Sequence, residues 1–257
     1  MFSKFLMVLV ALALGGCRNE SARHKAAGNV FFKQGKLEVA AEEYRTALRT
    51  SPDDANAHTL LGNVRFEQQR YAEAEQEYRA SLHDDPHARA AILGLVSLDL
   101  RANKLPEART LLEQLVKDEP RDPEAQIALG KLLYADGKLN EAEAHLRDGL
   151  VYAQNEVSAL YTLGLVLAKK KDREQANAIF DRLESITEGK AYAPYGRAVA
   201  EAASGRNDEA LKWLDVALQR GLDDPAQVER DDAFGRLRSN PRFQELIAKA
   251  KPRAPPK

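Results

Sequence analysis

The chain has 257 residues, of which 38 are Lys or Arg and 39 are Asp or Glu, so its formal net charge is −1. A nearly neutral chain lacks the strongly basic surface of nucleic-acid-binding proteins, which excludes that class of function. The chain contains one cysteine, Cys17, so it cannot form an internal disulfide bond.

The N-terminal segment has the features of a secretory signal peptide. Lys4 supplies a positive charge, and Phe5–Leu14 is an unbroken apolar run of ten residues. A membrane-spanning helix takes roughly 20 apolar residues, so this run is too short to cross a bilayer but has the length of a signal-peptide core. We therefore predict that residues 1–16 are a cleaved signal peptide.

The residues around Cys17 resemble the bacterial lipobox, in which two small residues precede a cysteine that is lipidated and becomes the new N-terminus. Here these residues are Gly15 and Gly16. The resemblance implies lipidation of Cys17, with residues 17–20 as anchor and short linker. Arg18 takes the place of the aspartate that favours inner-membrane retention, so we expect an outer-membrane anchor facing the periplasm. The alternative is an ordinary signal peptide with an incidental cysteine.

The next two hundred residues repeat with a period of 34. Pro52, Pro86 and Pro120 are spaced by 34 residues. A small residue recurs at the same step, as Ala40, Ala74, Ala108, Ala142, Ala176 and Ala210. Four places later comes a large apolar residue: Tyr44, Tyr78, Leu112, Leu146, Phe180 and Leu214. Such a period indicates short helical hairpins that bury their apolar faces by stacking.

A 34-residue unit with a Leu-Gly pair, an Ala-x-x-x-aromatic pair and a closing proline resembles the tetratricopeptide repeat. The resemblance implies an all-α fold, a right-handed α-solenoid of about six helix-turn-helix repeats. The predicted repeats are residues 21–54, 55–88, 89–122, 123–156, 157–190 and 191–224. Small residues such as Gly62 should let the two helices of a hairpin approach closely, while Tyr78 fills the gap to the next repeat.

Residues 225–248 are predicted to form capping helices after the last repeat. Val228, Phe234 and Leu237 suggest a short helical segment, and Asn240 starts a final amphipathic helix. A repeat array needs such a cap because its last repeat would otherwise expose an apolar face. The basic, proline-rich stretch 249–257 is predicted to be a disordered tail.

No pattern of catalytic residues or metal ligands occurs, so we expect no enzymatic activity, no cofactor and no metal. His83 and His87 lie across a repeat junction without a third ligand nearby. His24 and His58 occupy a repeat position at which tetratricopeptide proteins carry a core aromatic, so packing is their expected role. His145 lies among charged helix residues and is expected to be solvated.

The family resemblance also implies a binding surface. In tetratricopeptide proteins the first helices of successive repeats line a concave groove that binds a protein or peptide. The groove positions implied in this chain are Lys25, Asn29, Asn56, Asn63, Phe66 and Arg101 towards the N-terminus, and Lys131, Tyr134, Tyr161, Tyr192 and Tyr195 towards the C-terminus. Amide and ammonium donors at one end can hold a peptide backbone or a carboxylate, and tyrosines at the other offer flat contact with a polar tip.

Two of these residues also match a more specific family feature. Lys25 and Asn29 occupy two positions of the carboxylate clamp with which chaperone-binding members grip a peptide C-terminus. The remaining clamp positions hold Leu60, Ala90 and Gly94, so a full clamp is absent. Generic binding of an extended peptide or helix is therefore the expected mode. Tyr161 and Tyr195 have an alternative role, which is packing between neighbouring repeats.

The sequence predicts a non-enzymatic envelope lipoprotein that acts as a protein-binding adaptor, with a protein or peptide partner, a membrane anchor and no nucleic acid. Its repeat number and anchor also resemble the pilotins of type IV pilus systems, which help a secretin assemble. Other lipid-anchored arrays recruit cell-wall hydrolases or belong to outer-membrane assembly machinery. A structural or self-associating spacer without a groove ligand is a further alternative. The sequence does not specify the oligomeric state.

Overall fold

The computed structural model describes residues 20–222 and 225–250, and these form helices joined by short turns, without a strand. The α-helices are α1 (20–33), α2 (Leu37–Thr50), α3 (Ala55–Glu67), α4 (Tyr71–Asp84), α5 (Arg89–Arg101), α6 (Leu105–Asp118), α7 (Pro123–Ala135), α8 (Leu139–Tyr152), α9 (Val157–Lys169), α10 (Arg173–Thr187), α11 (Tyr192–Ala203), α12 (Asn207–Gln219), α13 (Pro225–Arg230) and α14 (Pro241–Ala250); a 3₁₀ helix, η1, spans Asp232–Leu237. Consecutive helices pair as antiparallel hairpins, which confirms the predicted all-α solenoid class.

The helices fall into two compact units. Unit 1, Met1–Glu119, contains hairpins α1–α2, α3–α4 and α5–α6. Unit 2, Pro120–Lys257, contains hairpins α7–α8, α9–α10 and α11–α12, followed by α13, η1 and α14. We call the surface formed by α1, α3 and α5 in unit 1, and by α7, α9 and α11 in unit 2, the first-helix face of that unit.

Each hairpin turns through one residue with left-handed backbone geometry. Three turns use glycine, as at Gly35 with φ of 71°, while Gln69, Asn103 and Lys171 adopt φ of 60°, 56° and 64°. A left-handed conformation costs an L-residue roughly 1–2 kcal/mol, so the packing of the two helices must offset this cost where glycine is missing.

Large side chains of the second helices pack directly against glycines of the first helices. A Cβ atom placed on Gly62 would lie 2.7 Å from the Tyr78 ring, and one placed on Gly94 would lie 2.4 Å from the same ring. Gly62 belongs to the same hairpin as Tyr78, and Gly94 to the next one. The prediction that a small residue permits close approach and that Tyr78 fills the gap to the next repeat is thereby confirmed.

The segment after α12 covers the end of unit 2. Phe234 of η1 is fully buried, and its ring centroid lies 5.8 Å from that of Phe243 of α14 and 6.0 Å from that of Tyr195 of α11. Leu246 and Ile247 of α14 are buried as well. Aromatic and aliphatic side chains therefore seal the last hairpin, as a capping segment must.

Helix α14 extends two residues further than predicted. Lys249 and Ala250 form the last turn of α14, so the prediction of disorder from residue 249 is wrong for these two residues. A charge pair one helical turn apart supports this turn, since Lys249 Nζ lies 2.6 Å from Glu245 Oε1. Residues 251–257, the predicted signal peptide and Cys17 lie outside the described residues. Of the described helices, none is long and apolar enough to span a bilayer.

The glycine contacts lead to a stability prediction. Gly62→Ala should destabilise the protein by about 1 to 3 kcal/mol, because the new methyl group overlaps the buried Tyr78 ring. Gly235→Ala is the control, since no atom lies within 4 Å of the Cβ position there. Urea denaturation of both variants measures the difference. Equal stability of the two variants would contradict the close-approach account.

Candidate functional site

Two asparagines on the first-helix face of unit 1 are held by buried tyrosines. The Tyr44 hydroxyl donates to Asn29 Oδ1 at 2.7 Å, and the Tyr78 hydroxyl donates to Asn63 Oδ1 at 2.8 Å. Both tyrosine rings are almost fully buried, so each hydroxyl has a fixed position. The bond occupies the amide oxygen and leaves the two N–H groups of each asparagine to donate to a ligand. Asn29 and Asn63 are thus equivalent donors, one repeat apart.

This pairing has a signature in the sequence that the pattern analysis missed. Asparagine stands at this position only in the two hairpins whose second helix carries tyrosine fifteen residues later. The equivalent residues of the other four hairpins are Ser97, Lys131, Leu165 and Val199, and their partners are leucine or phenylalanine. An amide and a phenol that recur together indicate a hydrogen bond, because neither a leucine nor a phenylalanine side chain could donate one.

Phe66 and Arg101 are brought together by a third residue that was not predicted. The Phe66 and Tyr71 rings meet edge to face at 5.6 Å between centroids. The guanidinium carbon of Arg101 lies 4.5 Å from the Tyr71 ring centroid, which is a cation–π contact. The result is a half-buried aromatic pair with a cation over it, where the end of α3, the start of α4 and the end of α5 meet.

Lys25 is paired within the protein. Its Nζ lies 2.6 Å from Asp54 Oδ2, and Asp54 also accepts from the backbone N–H of Ala57 and the hydroxyl of Ser21. Burial acts to raise the pKa of Asp54, but these hydrogen bonds and the Lys25 charge outweigh it and lower the pKa. Because Asp54 neutralises Lys25, this lysine is poorly placed to grip a peptide carboxylate. Asn56, by contrast, is exposed.

In unit 2, Lys131 and Tyr134 lie at separate features of the first-helix face. Lys131 is exposed and lines a cavity of about 470 Å³ together with Ile127 and Ala153. Tyr134 is half-buried, and Lys169 Nζ lies 4.5 Å from its ring centroid. One face of the Tyr134 ring is therefore already in a cation–π contact, which leaves its edge and hydroxyl for other contacts.

Three tyrosines converge on a second cleft, of about 620 Å³, at the start of α9 and α11. Tyr161, Tyr192 and Tyr195 line it. Tyr192 is 52% exposed, whereas Tyr161 is half-buried. Burial, and then the negative charge of Asp231, raise the pKa of Tyr161, so its phenol stays a neutral hydrogen-bonding group.

Tyr195 differs from the prediction of a groove contact. It is only 6% exposed, its hydroxyl donates to Asp231 Oδ2 at 2.8 Å, and its ring packs against Phe234. Burial and the Asp231 hydrogen bond raise the pKa of Tyr195. Its main role is to hold η1 on α11, so the packing alternative applies to Tyr195, and of the three tyrosines Tyr161 and Tyr192 remain as candidate ligand contacts in the cleft.

The histidines are polar partners and not core aromatics. His24 Nδ1 lies 2.7 Å from Glu43 Oε2, and His58 Nδ1 lies 2.8 Å from Glu77 Oε2. The prediction that His24 and His58 pack as aromatics is therefore wrong, because a carboxylate faces each ring. The expected solvation of His145 is also wrong, since this residue is half-buried and its Nδ1 is 2.7 Å from Gln126 Oε1. The described ranges contain no group of three side chains suited to a metal ion.

Comparison with protein families gives matches along most of the chain. One tetratricopeptide repeat model matches residues 25–89 and 161–225, and a second matches residues 65–132 and 99–164. No curated protein is significantly similar in sequence.

Solved structures with the same fold include two that match nearly end to end. Pseudomonas aeruginosa PilF is 19% identical, with a TM-score of 0.68, over 91% of this chain and 99% of PilF. PilW, a type IV pilus biogenesis factor, is 16% identical, with a TM-score of 0.66, over 88% of this chain and 98% of PilW. YrrB, a tetratricopeptide repeat protein with an unusual peptide-binding site, is 21% identical, with a TM-score of 0.62, over 74% of this chain and 98% of YrrB. At these identities the matches show the fold alone.

The buried phenol of Tyr78 gives a prediction about pH. Burial, and then the charge of Glu67, raise the pKa of Tyr78 to about 12. The neutral phenol therefore stabilises the fold below about pH 10, the pKa of tyrosine in the unfolded chain. This contribution is lost as the pH rises through the higher pKa of the folded protein. In an absorbance titration of phenolate, the difference between wild type and Tyr78→Phe should appear near pH 12. A difference already complete near pH 10 would contradict the burial of this phenol.

Proposed function

The chain belongs to the tetratricopeptide repeat family, and we propose that it is a non-catalytic adaptor of the bacterial cell envelope that binds a partner through its first-helix faces. The partner is a protein segment in extended conformation, held by its backbone on unit 1, and unit 2 has a separate cleft that suits a side chain. The observation that carries this proposal is the pair of tyrosine-held amides at Asn29 and Asn63.

The two amides suit the backbone of an extended peptide. The amide oxygen of each asparagine accepts from a tyrosine hydroxyl, so the remaining groups of the amide are N–H donors. A peptide backbone has carbonyl acceptors at regular intervals, which such donors can bind. Because Lys25 is neutralised by Asp54, unit 1 offers neutral donors more readily than a carboxylate grip. Backbone hydrogen bonds give affinity with little dependence on the ligand's sequence.

Unit 2 has a candidate ligand site of its own. Its tyrosine cleft, of about 620 Å³, falls within the range of roughly 300–1,000 Å³ typical of ligand sites. Tyr161 and Tyr192 present aromatic surface together with hydroxyl groups, which suits an apolar or aromatic side chain of the partner. Lys131 stands at the neighbouring cavity and adds one exposed cation to this face.

Photocrosslinking in intact cells tests the adaptor proposal. A photoreactive amino acid at Asn56 or Tyr192 should capture the same envelope protein, because both positions are exposed on first helices. Gln76, exposed on the second helix α4, is the control and should capture nothing specific. Mass spectrometry identifies the adducts. Capture from Gln76 alone would favour the spacer alternative, and capture of further copies of this chain would favour self-association.

A second candidate function is a role in assembling type IV pili, as in the pilotin alternative. The observation that favours it is the match to PilF and PilW along about nine-tenths of this chain and nearly all of theirs. Deletion of the gene should then abolish surface pili, as seen by electron microscopy, and restoring the gene should restore them. Normal piliation of the deletion strain would exclude this candidate and leave the general adaptor proposal intact.

The envelope location rests on the lipobox resemblance at Cys17. Cys17→Ser should abolish incorporation of radiolabelled palmitate and move the protein out of the outer-membrane fraction, because the thiol is the site of acylation. Arg18→Ala is the matched control and should keep both properties. An outer-membrane, labelled Cys17→Ser protein would contradict the lipid anchor.

A further inference from the structure

One side of α1 is exposed at positions that are buried in the later first helices. Val30 of α1 is 53% exposed, whereas its equivalents in the five later hairpins are at most 9% exposed. These equivalents are Val64, Leu98, Leu132, Val166 and Ala200. In unit 1, α2 packs against α3 and α4 packs against α5. Among the described residues no helix precedes α1, so this side of α1 is open.

The residue types on this side follow its exposure. Arg23 is exposed, and its equivalents are the fully buried alanines Ala57, Ala91, Ala125, Ala159 and Ala193. A long charged side chain suits an open face, because its stem can lie along the surface while its charge stays in water. Ala26 and Lys33 are exposed as well. At about 100° per residue, Arg23, Ala26, Val30 and Lys33 lie within about 80° of one another around the helix axis. We call these four residues the end stripe.

The end stripe combines apolar surface with positive charge. Arg23 and Lys33 stand at its two ends, with two apolar residues between them and no acid. Glu20 lies about 100° around α1 from the centre of the stripe. Glu38 belongs to α2 and accepts from Gln68 Nε2 at 2.9 Å. Apolar side chains flanked by cations suit a phospholipid surface, which takes up the apolar groups and attracts the cations to anionic headgroups.

The predicted lipid anchor is close to the end stripe along the chain. Helix α1 begins at residue 20, three residues after Cys17. An extended chain spans at most about 3.6 Å per residue, so the start of α1 lies within about 11 Å of the Cys17 backbone. An acyl chain on Cys17 would hold the end stripe near the bilayer. Contact with the bilayer then becomes an intramolecular step, which a high effective concentration favours.

A second copy of the chain is a less suitable occupant of the end stripe. Helix α1 spans residues 20–33. It is therefore about 21 Å long, and with a width of about 10 Å one side of it covers on the order of 200 Å². A stable interface buries roughly 800 Å² per partner. Two copies that met through α1 alone would also bring Arg23 and Lys33 close to the same two cations of the other copy.

We propose that the end stripe lies on the phospholipid bilayer in which the protein is anchored. Val30 contacts the boundary between headgroups and acyl chains, and Arg23 and Lys33 contact anionic headgroups. The contact rests on the envelope location and the Cys17 anchor of the proposed function. Asn29 lies roughly a quarter turn around α1 from the centre of the stripe, so the first-helix face of unit 1 points sideways, along the membrane. A segment bound at Asn29 would then run beside the bilayer.

Quenching by spin-labelled lipids tests the contact. The full mature lipoprotein, with Val30→Cys carrying an environment-sensitive dye, is placed in vesicles of phosphatidylethanolamine and phosphatidylglycerol. Acylation blocks the thiol of Cys17, the only natural cysteine, so a single dye per chain reports the anchor independently. The emission should shift to shorter wavelength and be quenched by spin labels near the headgroups. Gln76→Cys, at an exposed position of α4, is the control and should keep the emission of the dye in water.

Charge variants of the labelled protein test the role of the two cations. Arg23→Gln/Lys33→Gln should weaken the contact roughly 30-fold, seen as a loss of quenching, since each cation near an anionic surface contributes about fivefold. Lys104→Gln/Lys117→Gln removes the same charge from exposed positions of unit 1 and should leave the quenching unchanged. Equal quenching in the two double variants would overturn the assigned contact.

The outcomes separate the contact from the anchor. A single dye per chain without quenching at position 30 would overturn the contact and leave the lipid anchor intact. Two dyes per chain would reveal a free Cys17 thiol and overturn the anchor and the contact together. An emission shift that grows with protein density and does not respond to spin-labelled lipid would indicate a second copy on the end stripe, and it would overturn the bilayer contact.

Discussion

The structure depends on how closely two helices approach where a large ring meets a glycine. Tyr78 fills the space between Gly62 of its own hairpin and Gly94 of the next, and Phe180 packs in the same way against Gly164 and Gly196. A Cβ at any of these four glycines would lie 2.4 to 2.7 Å from the ring, so glycine is needed for the spacing. This contact sets the distance between successive first helices, and hence between the side chains that they present.

The residue at the position of Tyr78 also determines which polar groups lie on the first-helix face of each unit. In unit 1 the residue is tyrosine in two hairpins, and its hydroxyl holds an asparagine amide on the first-helix face. In the α9–α10 hairpin of unit 2 the residue is Phe180, and the asparagine is replaced by Leu165. The polar groups at the neighbouring cleft are the phenols of Tyr161 in α9 and Tyr192 in α11. Packing and the polar groups on the surface are therefore coupled through one side chain, with amides on unit 1 and phenols on unit 2.

The repeats could be predicted from the sequence because their period and their small and large residues are local features, and Gly62 and Tyr78 have the predicted roles. Contacts between distant residues could not be predicted in the same way. The pairing of Lys25 with Asp54, the burial of Tyr195 under η1 and the carboxylate partners of His24 and His58 depend on neighbours 19 to 36 residues away. A repeat position identifies the face that a side chain lies on, but not the groups that already occupy it.

The affinity of the captured partner for the mature protein tests the account most directly. Asn29→Ala/Asn63→Ala should weaken binding about 10- to 100-fold, since each amide contributes about 1 kcal/mol in hydrogen bonds to the ligand backbone. Asn140→Ala, an exposed change on the second helix α8, should bind as wild type does. Wild-type affinity in the double variant, measured by calorimetry with the fold intact, would contradict backbone binding by the tyrosine-held amides.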